Sequence, residues 1–263
     1  MSPGQCVALI ATRGRPRLLR ERALTSVARQ THAPGEVVVV DDNGGPPMLL
    51  DGATVLRTAG GQGASAAWNA GLRSIASRWD PDRTWVAVLD DDDAWCPAYL
   101  ERCLSVARNG DWDVVAAGLR WLDGTGSPFV PMPSPEQLRA EDFLVTNPGV
   151  QGSNLFVRLG KLMTVGGFDE GLPSTTDRDL LIRLIDCGVS YQRIPEFLVE
   201  HYAEQDRRRL STPGSAAKLG GLTGFFDRYR HRMTPQQQAA FMSRAEELFG
   251  WSAGAGELGR QTA

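Results

Sequence analysis

Features that mark membrane-spanning, secreted or nucleic-acid-binding proteins are scarce in this sequence of 263 residues. No apolar run approaches the roughly 18 residues that a membrane-spanning helix needs, and no signal-peptide pattern precedes the first predicted strand. The formal net charge is −3, which provides no excess of basic residues for contacts with nucleic acid. We therefore expect a cytoplasmic protein with no integral membrane segment and no nucleic-acid partner.

Cysteine is also sparse, and its spacing is uninformative. The four cysteines show no C-x-x-C pair, and three of them stand in apolar runs: Cys6, Cys96, Cys103 and Cys187. This pattern argues against a zinc site and against a disulfide framework. We expect free thiols in a reducing compartment.

The sequence does contain a regular alternation of apolar strands and amphipathic helices. The predicted strands of the first half are residues 6–11, 36–40, 53–57 and 85–89. Helices are predicted to begin near residues 16 and 97, and another extends through residue 75. Such alternation with short loops predicts an α/β fold with a mostly parallel sheet that is covered on both faces. The length suits one such domain, with or without a helical extension.

Carboxylates follow two of these predicted strands. Residues 90–93 are four consecutive aspartates directly after the strand at 85–89, and Asp41 and Asp42 end the strand at 36–40. Right-handed crossovers place the carboxyl ends of parallel strands at one edge, where ligands bind in open α/β sheets. A solvated acidic turn is the alternative. Because the run adjoins a hydrophobic strand and is closed by Trp95, we favour a Mg²⁺ or Mn²⁺ site.

A glycine-rich stretch, residues 60–71, leads into the second predicted helix, which extends through residue 75. Its small residues allow a backbone or a ligand to approach closely. The spacing of its glycines does not match the phosphate-binding loops G-x-G-x-x-G or G-x-x-x-x-G-K-[ST].

The second half of the chain has a different character. Strands are predicted at residues 113–122, 155–157, 191–194 and 197–202, with a turn at 123–126 and a proline-rich loop at 128–135. An amphipathic helix carries Asp177 and Asp179 in its first turn, where acidic residues are favoured by capping and by the helix dipole. On this ground alone Asp177 is as compatible with capping as with catalysis. Two further amphipathic helices are predicted at 215–232 and 235–249.

The ordered set of motifs resembles the family 2 inverting glycosyltransferases. The motifs are residues 10–16 (I-A-T-R-G-R-P), 39–43 (V-V-D-D-N), 63–71 (G-A-S-A-A-W-N-A-G), 89–95 (L-D-D-D-D-A-W), 166–170 (G-G-F-D-E) and 177–180 (D-R-D-L). Together they extend over about residues 5 to 205. The resemblance implies a single Rossmann-like domain of the A-type glycosyltransferase fold, a nucleotide-diphospho-sugar donor and a divalent metal, Mn²⁺ or Mg²⁺.

The resemblance also implies roles for particular residues. Asp177 falls at the position of the catalytic base, Asp92 and Asp90 at the metal-binding positions, and His201 is a candidate third metal ligand. The residues expected to bind the nucleotide-sugar are Ala11, Thr12, Arg13, Asp42, Asn69, Asp90 and Asp91. Asp42 would accept the imide hydrogen of uracil or thymine, which favours a UDP- or dTDP-sugar.

Three positions depart from the family pattern. Arg13-Gly14 replaces a frequent Tyr-Asn pair, Trp68 replaces a frequent arginine, and Thr176 replaces the usual glutamate before the base. These departures bear on which donor is used.

The predicted activity is inverting transfer of one sugar by single displacement, with residues 1–110 as the nucleotide-sugar-binding half. Residues 111–210 would form the acceptor-binding half and 211–263 a C-terminal helical extension. The acceptor, a small molecule, a peptide or a glycan, is not identified. A sugar-phosphate nucleotidyltransferase and a non-catalytic nucleotide-sugar-binding module are the alternatives.

Residues 207–209, three arginines, form either a solvated basic turn or a group that closes on the diphosphate.

Overall fold

A computed structural model describes residues 5–46, 48–123, 129–203 and 212–253. Within these residues one mixed sheet of nine strands has the order β3-β2-β1-β4-β8-β6-β9-β5, with β7 paired to β6. The strands are β1 (Gln5–Thr12), β2 (Glu36–Asp41), β3 (Thr54–Arg57), β4 (Thr84–Asp90), β5 (Ala94–Trp95), β6 (Val114–Leu122), β7 (Val130–Met132), β8 (Leu155–Arg158) and β9 (Tyr191–Tyr202). The arginines at 207–209 lie outside the described residues.

Helices cover both faces of the sheet. They are α1 (Pro16–Leu18), α2 (Thr25–Ala28), α3 (Ala64–Ala76), α4 (Tyr99–Gly110), α5 (Ala140–Val145), α6 (Leu159–Thr164), α7 (Thr176–Asp186), α8 (Ala216–Tyr229) and α9 (Pro235–Phe249). A π-helical segment, Leu19–Leu24, joins α1 to α2, and 3₁₀ turns occupy Gly152–Asn154 and Arg230–Arg232. None of the described helices is long and apolar enough to cross a membrane.

The first four strands form the parallel part of the sheet, as the alternation predicted. Strand β1 pairs in parallel with β2 and β4, and β2 pairs in parallel with β3. Side chains of β1 alternate between two hydrophobic cores, with Val7 and Leu9 on one face and Ala8 and Ile10 on the other. Both faces are covered, so residues 6–11 of the strand are all apolar.

Gly71 explains part of the glycine-rich stretch. A Cβ atom at this position of α3 would lie 2.3 Å from Leu9 Cδ1 and 3.1 Å from Val40 Cγ2. The helix therefore packs directly on the sheet at a point where only glycine fits. At Gly71 the close approach that the small residues allow is therefore between α3 and the sheet.

The second half of the sheet is mixed and differs in two details from the sequence prediction. Residues 191–202 form the single strand β9, because a bulge at Pro195 and Glu196 lets the pairing with β6 continue on both sides. The proline-rich segment predicted as a loop contains β7. Among the described residues this short strand pairs with β6 alone, and Pro131 is tolerated in such an edge strand because its missing N–H is not needed there.

The two C-terminal helices are present as predicted. Thr234 caps α9 in a reciprocal capping box with Gln237, and Ser215 accepts a hydrogen bond from Lys218 N at the start of α8. The helices join through a cluster of aromatic rings: Phe225, Phe226, Phe241 and Trp251.

All four cysteines are free thiols in the structure. Cys6 and Cys103 are buried, and Cys187 is exposed. Burial raises the pKa of Cys6 to about 12, so this thiol stays protonated and unreactive near neutral pH.

Candidate active site

A cavity of about 1490 Å³ opens at the carboxyl ends of β1 and β4. Its walls include the ends of these strands with the glycine-rich stretch, the segment before and around Asp177, and the C-terminal helices α8 and α9. The segments around residues 121, 132, 145–152 and 201 also contribute. The position agrees with the crevice that the sheet topology predicts.

Three aspartates of the acidic run lie close together, and two of them line this cavity. One oxygen of each of Asp90, Asp92 and Asp93 lies within 4.8 Å of the others. Burial, together with the negative charges of the neighbouring aspartates, raises the pKa of Asp90 to about 8. An all-oxygen donor set whose members repel one another fits a hard divalent cation, and Asp90 and Asp92 line the cavity.

Alternate aspartates of the run point in different directions. Asp90 and Asp92 face the cavity, whereas Asp91 is fully buried and accepts a hydrogen bond of 2.6 Å from Thr12 Oγ1. Arg15 pairs with both Asp91 and Asp92, and its Nη1 lies 2.8 Å from Asp92 Oδ2. The sequence predicts that Asp91 contacts the donor. In the structure Asp91 is turned away from the cavity and is not one of the described residues that line it.

Asp93 orients His201. Its Oδ2 lies 2.9 Å from His201 Nδ1 and accepts a hydrogen bond of 2.6 Å from Ser153 Oγ, while its Oδ1 accepts one of 3.1 Å from Tyr202 N. His201 lines the cavity beside the Trp121 ring. A carboxylate that holds one nitrogen of a histidine facing a metal site is a common arrangement in metalloproteins. Sequence reasoning named His201 and missed the anchoring role of Asp93.

Asp42 stands at another wall of the cavity together with Ala11, Thr12 and Arg13. Its carboxylate accepts hydrogen bonds from Gln62 N (3.0 Å), from Gly63 N (2.9 Å) and from the Thr58 hydroxyl. Gly63 has a φ of +93°, a backbone conformation that glycine adopts without strain. The glycine-rich stretch therefore holds the Asp42 carboxylate in place.

Asn69 positions a loop. Its Nδ2 donates to Phe168 O at 2.7 Å and to Glu170 Oε1 at 2.9 Å, and its Oδ1 accepts from Phe168 N at 2.8 Å. Asn69 is not among the described cavity-lining residues, although its neighbour Trp68 is. Trp68 packs against Phe168 with ring centroids 4.6 Å apart, so it serves as part of the hydrophobic wall.

Asp177 lies in the first turn of α7 and lines the cavity. Asn147 Nδ2 donates to its Oδ2 at 3.0 Å, and Arg178 N donates to its Oδ1 at 2.9 Å. Burial raises the pKa of Asp177, and the nearby charges of Lys218 and Arg178 oppose this shift. The result is a fixed carboxylate with more basic character than an exposed aspartate. No sequence pattern singled out Asn147.

Comparison with known proteins agrees with this geometry. The family model described as glycosyl transferase family 2 matches residues 8–162. An uncharacterized glycosyltransferase of Haemophilus influenzae is 27% identical over 170 residues, which are 62% of this chain and 56% of that protein. An uncharacterized glycosyltransferase of Nostoc sp. is 34% identical over 113 residues, or 39% of this chain and 33% of that protein. Thus the matched region spans at most about half the length of these two relatives.

The fold is similar to that of S. aureus TarS. A crystal structure of TarS 1–349 superposes with a TM-score of 0.64 at 16% identity, covering 92% of this chain and 72% of that chain. A complex of TarS 1–349 with UDP-GlcNAc superposes with a TM-score of 0.60 at 14% identity, covering 93% and 80%. At this identity the likeness shows the A-type glycosyltransferase fold alone. With more than half of its residues matched by the family model, the chain belongs to glycosyl transferase family 2.

Proposed function

We propose that this protein transfers one sugar from a nucleotide-diphospho-sugar to a hydroxyl group of an acceptor, with inversion at the anomeric carbon. The observation that carries the proposal is the shared cavity: Asp90 and Asp92 line it together with Asp177, which is held by two hydrogen bonds. Family membership supports the reaction class.

Asp177 is the proposed general base. As the acceptor oxygen forms its bond to the anomeric carbon, the bond from that carbon to the diphosphate breaks and the acceptor proton passes to the Asp177 carboxylate. The hydrogen bonds from Asn147 and Arg178 N fix the carboxylate in one orientation. A single displacement of this kind inverts the anomeric configuration.

Asp90 and Asp92, with His201 as a further candidate, would hold Mn²⁺ or Mg²⁺ on the donor side. When bound, such a cation neutralises charge on the departing diphosphate. The contacts of Arg15 keep Asp92 in place, and Asp93 keeps His201 in place.

A uridine or thymidine donor is proposed from the nucleoside wall. Three of the roughly four lone-pair positions of the Asp42 carboxylate are filled by its own chain, which leaves one for the imide N–H of a pyrimidine base. The TarS complexes described as containing UDP and UDP-GlcNAc support the same donor class.

A thermal-shift titration with UDP-, dTDP- and GDP-sugars, with and without Mn²⁺, tests the proposal. A donor at a hundred times its Kd stabilises the folded state by about 2.7 kcal/mol, a shift of several degrees. We expect such a shift for a UDP- or dTDP-sugar with Mn²⁺. Asp92→Asn should abolish the part of the thermal shift that depends on Mn²⁺. Asp51→Asn, which removes an exposed carboxylate outside the cavity, should leave the shift unchanged.

Product analysis separates the alternatives. Release of a nucleoside diphosphate supports sugar transfer, and release of pyrophosphate would instead indicate a nucleotidyltransferase. Binding of a donor with neither product, across a panel of hydroxyl acceptors, would leave a non-catalytic binding module and contradict the proposal.

A further inference from the structure

The C-terminal helices bring positive charge to the cavity wall beside Asp177. Lys218 of α8 and Arg244 of α9 both line the cavity. Lys218 is half-buried, and Arg244 is exposed at the rim. Arg178, next to Asp177 in α7, is buried against the same helices, with its guanidinium carbon 4.2 Å from the centroid of the Phe225 ring. Three cations from three helices thus surround one end of the cavity.

Among the residues that the structure describes, these cations have few negatively charged partners. Arg178 donates to the backbone carbonyls of Phe143 and Leu144, which carry no formal charge. Lys218 Nζ lies 4.2 Å from the centroid of the Phe249 ring. In the described part of the chain, no carboxylate lies within 4.0 Å of the charged groups of Lys218 or Arg244.

Burial lowers the pKa of Lys218, and the positive charges of Arg178 and Arg244 add to this shift while the negative charge of Asp177 opposes it. Glu170, another acidic residue of the cavity wall, contacts Asn69 and Arg73. An arrangement of three cations around one carboxylate lacks a negative group, which a ligand would supply.

We propose that Lys218 and Arg244 bind an anionic group, a phosphate or a carboxylate, of the acceptor whose hydroxyl group reaches Asp177. The inference rests on the proposed function, because it assigns the acceptor class of the same cavity. Leu222, Phe241 and Phe249 line the wall around the two cations. The acceptor therefore combines an apolar body, a hydroxyl nucleophile and a negative charge.

This anion site is distinct from the donor phosphate site. Lys218 and Arg244 belong to the C-terminal helices α8 and α9, whereas Asp90 and Asp92 lie at the carboxyl end of β4. The cationic group and the acidic cluster therefore come from different parts of the cavity wall.

Isothermal titration with phenyl phosphate, in the presence of saturating UDP and Mn²⁺, tests the inference because the donor site is then filled. Phenyl phosphate should bind, and Lys218→Met and Arg244→Met should each weaken its binding about tenfold to a hundredfold, the range for one charged hydrogen bond. Arg230→Met, which removes an exposed charge next to the same helices outside the cavity, should change binding less than twofold. Benzoate and benzyl alcohol serve as the carboxylate probe and the neutral probe.

The outcomes separate the two proposals. If neither UDP nor dTDP binds the unaltered protein in the presence of Mn²⁺, the proposed function is wrong and this inference falls with it. The inference alone is overturned if UDP binds but phenyl phosphate and benzoate do not, or if they compete with UDP. It is also overturned if benzyl alcohol binds as tightly, or if both methionine variants bind like the unaltered protein. The tighter of the two anions identifies the acceptor's charged group.

Discussion

Replacement of Asp177 by asparagine isolates the proposed base without changing the size of the side chain. The carboxylate now accepts one hydrogen bond from Asn147 and one from Arg178 N. Asn147 cannot turn its amide to accommodate a new donor, because its Nδ2 also donates to Val150 O and its Oδ1 accepts from Gly149 N and Val150 N. The introduced amide group therefore meets an N–H donor whichever way it is oriented.

The magnitudes of the two effects differ. An unpaired buried donor costs about 1–3 kcal/mol of folding stability, and the removal of a buried negative charge offsets part of this cost. Loss of a general base reduces the rate by a factor of about 10²–10⁴, equivalent to roughly 3–5 kcal/mol of transition-state stabilisation. The variant should therefore fold but turn over at least a hundredfold more slowly.

The assay is the rate of UDP release at saturating UDP-sugar and Mn²⁺, first with water as the acceptor and then with a panel of hydroxyl compounds. The Kd of the donor, measured by titration, should stay within about threefold of the original value. Glu141→Gln, which removes an exposed first-turn carboxylate from α5, is the matched control and should keep full activity. A folded Asp177→Asn protein that retains more than a tenth of the original rate would refute the assignment.

Two further predictions concern the acidic cluster and the helix–sheet contact. Because the pKa of Asp90 is raised from its ordinary value of 3.8 to about 8, this group stabilises the fold at low pH, and that contribution is lost as pH rises from about 4 to about 8. Binding of Mn²⁺ should therefore release about one proton at pH 6 and almost none at pH 9.5. Titration calorimetry in buffers of different ionisation enthalpy measures this release. Equal release at both pH values would contradict a metal site that includes Asp90. Gly71→Ala forces a methyl group to within 2.3 Å of Leu9 Cδ1, and the overpacking, about 1–3 kcal/mol, exceeds the gain of up to about 1 kcal/mol in helix propensity. Its Tm should fall by several degrees, and an unchanged Tm would show that α3 shifts freely on the sheet.

The parallel half of the fold was predictable because its information is local. Continuous apolar strands, helices with an apolar face and aspartates after strand ends each appear within a few residues of sequence. Parallel pairing then places Thr12, Asp41 and Asp90 near one edge of the sheet, as the register confirms. The same reasoning divided residues 191–202 into two strands, because the proline at the bulge interrupts the pattern while the pairing with β6 continues.

Details of the site were less accessible, because they depend on which neighbours a side chain meets. The alternation that turns Asp91 toward Thr12 and Arg15 follows from the backbone of a turn, which the run of identical residues does not encode. The polar atoms of Asn69 are engaged by a loop 99 residues further along the chain. Likewise, the positions of Lys218 and Arg244 on the cavity wall follow from the docking of α8 and α9.

The link from Asp93 to the end of β9 limits how the molecule can be divided. The region matched by the family model ends at residue 162, yet two of the partners that satisfy the buried Asp93 carboxylate, His201 and Tyr202 N, belong to a strand inserted between β6 and β5. A fragment that stopped at the family boundary would remove two hydrogen-bonding partners of a buried carboxylate. The region matched by the family model is therefore not an autonomous module that could be excised and fused to another domain. Any such chimera must carry β9 with it.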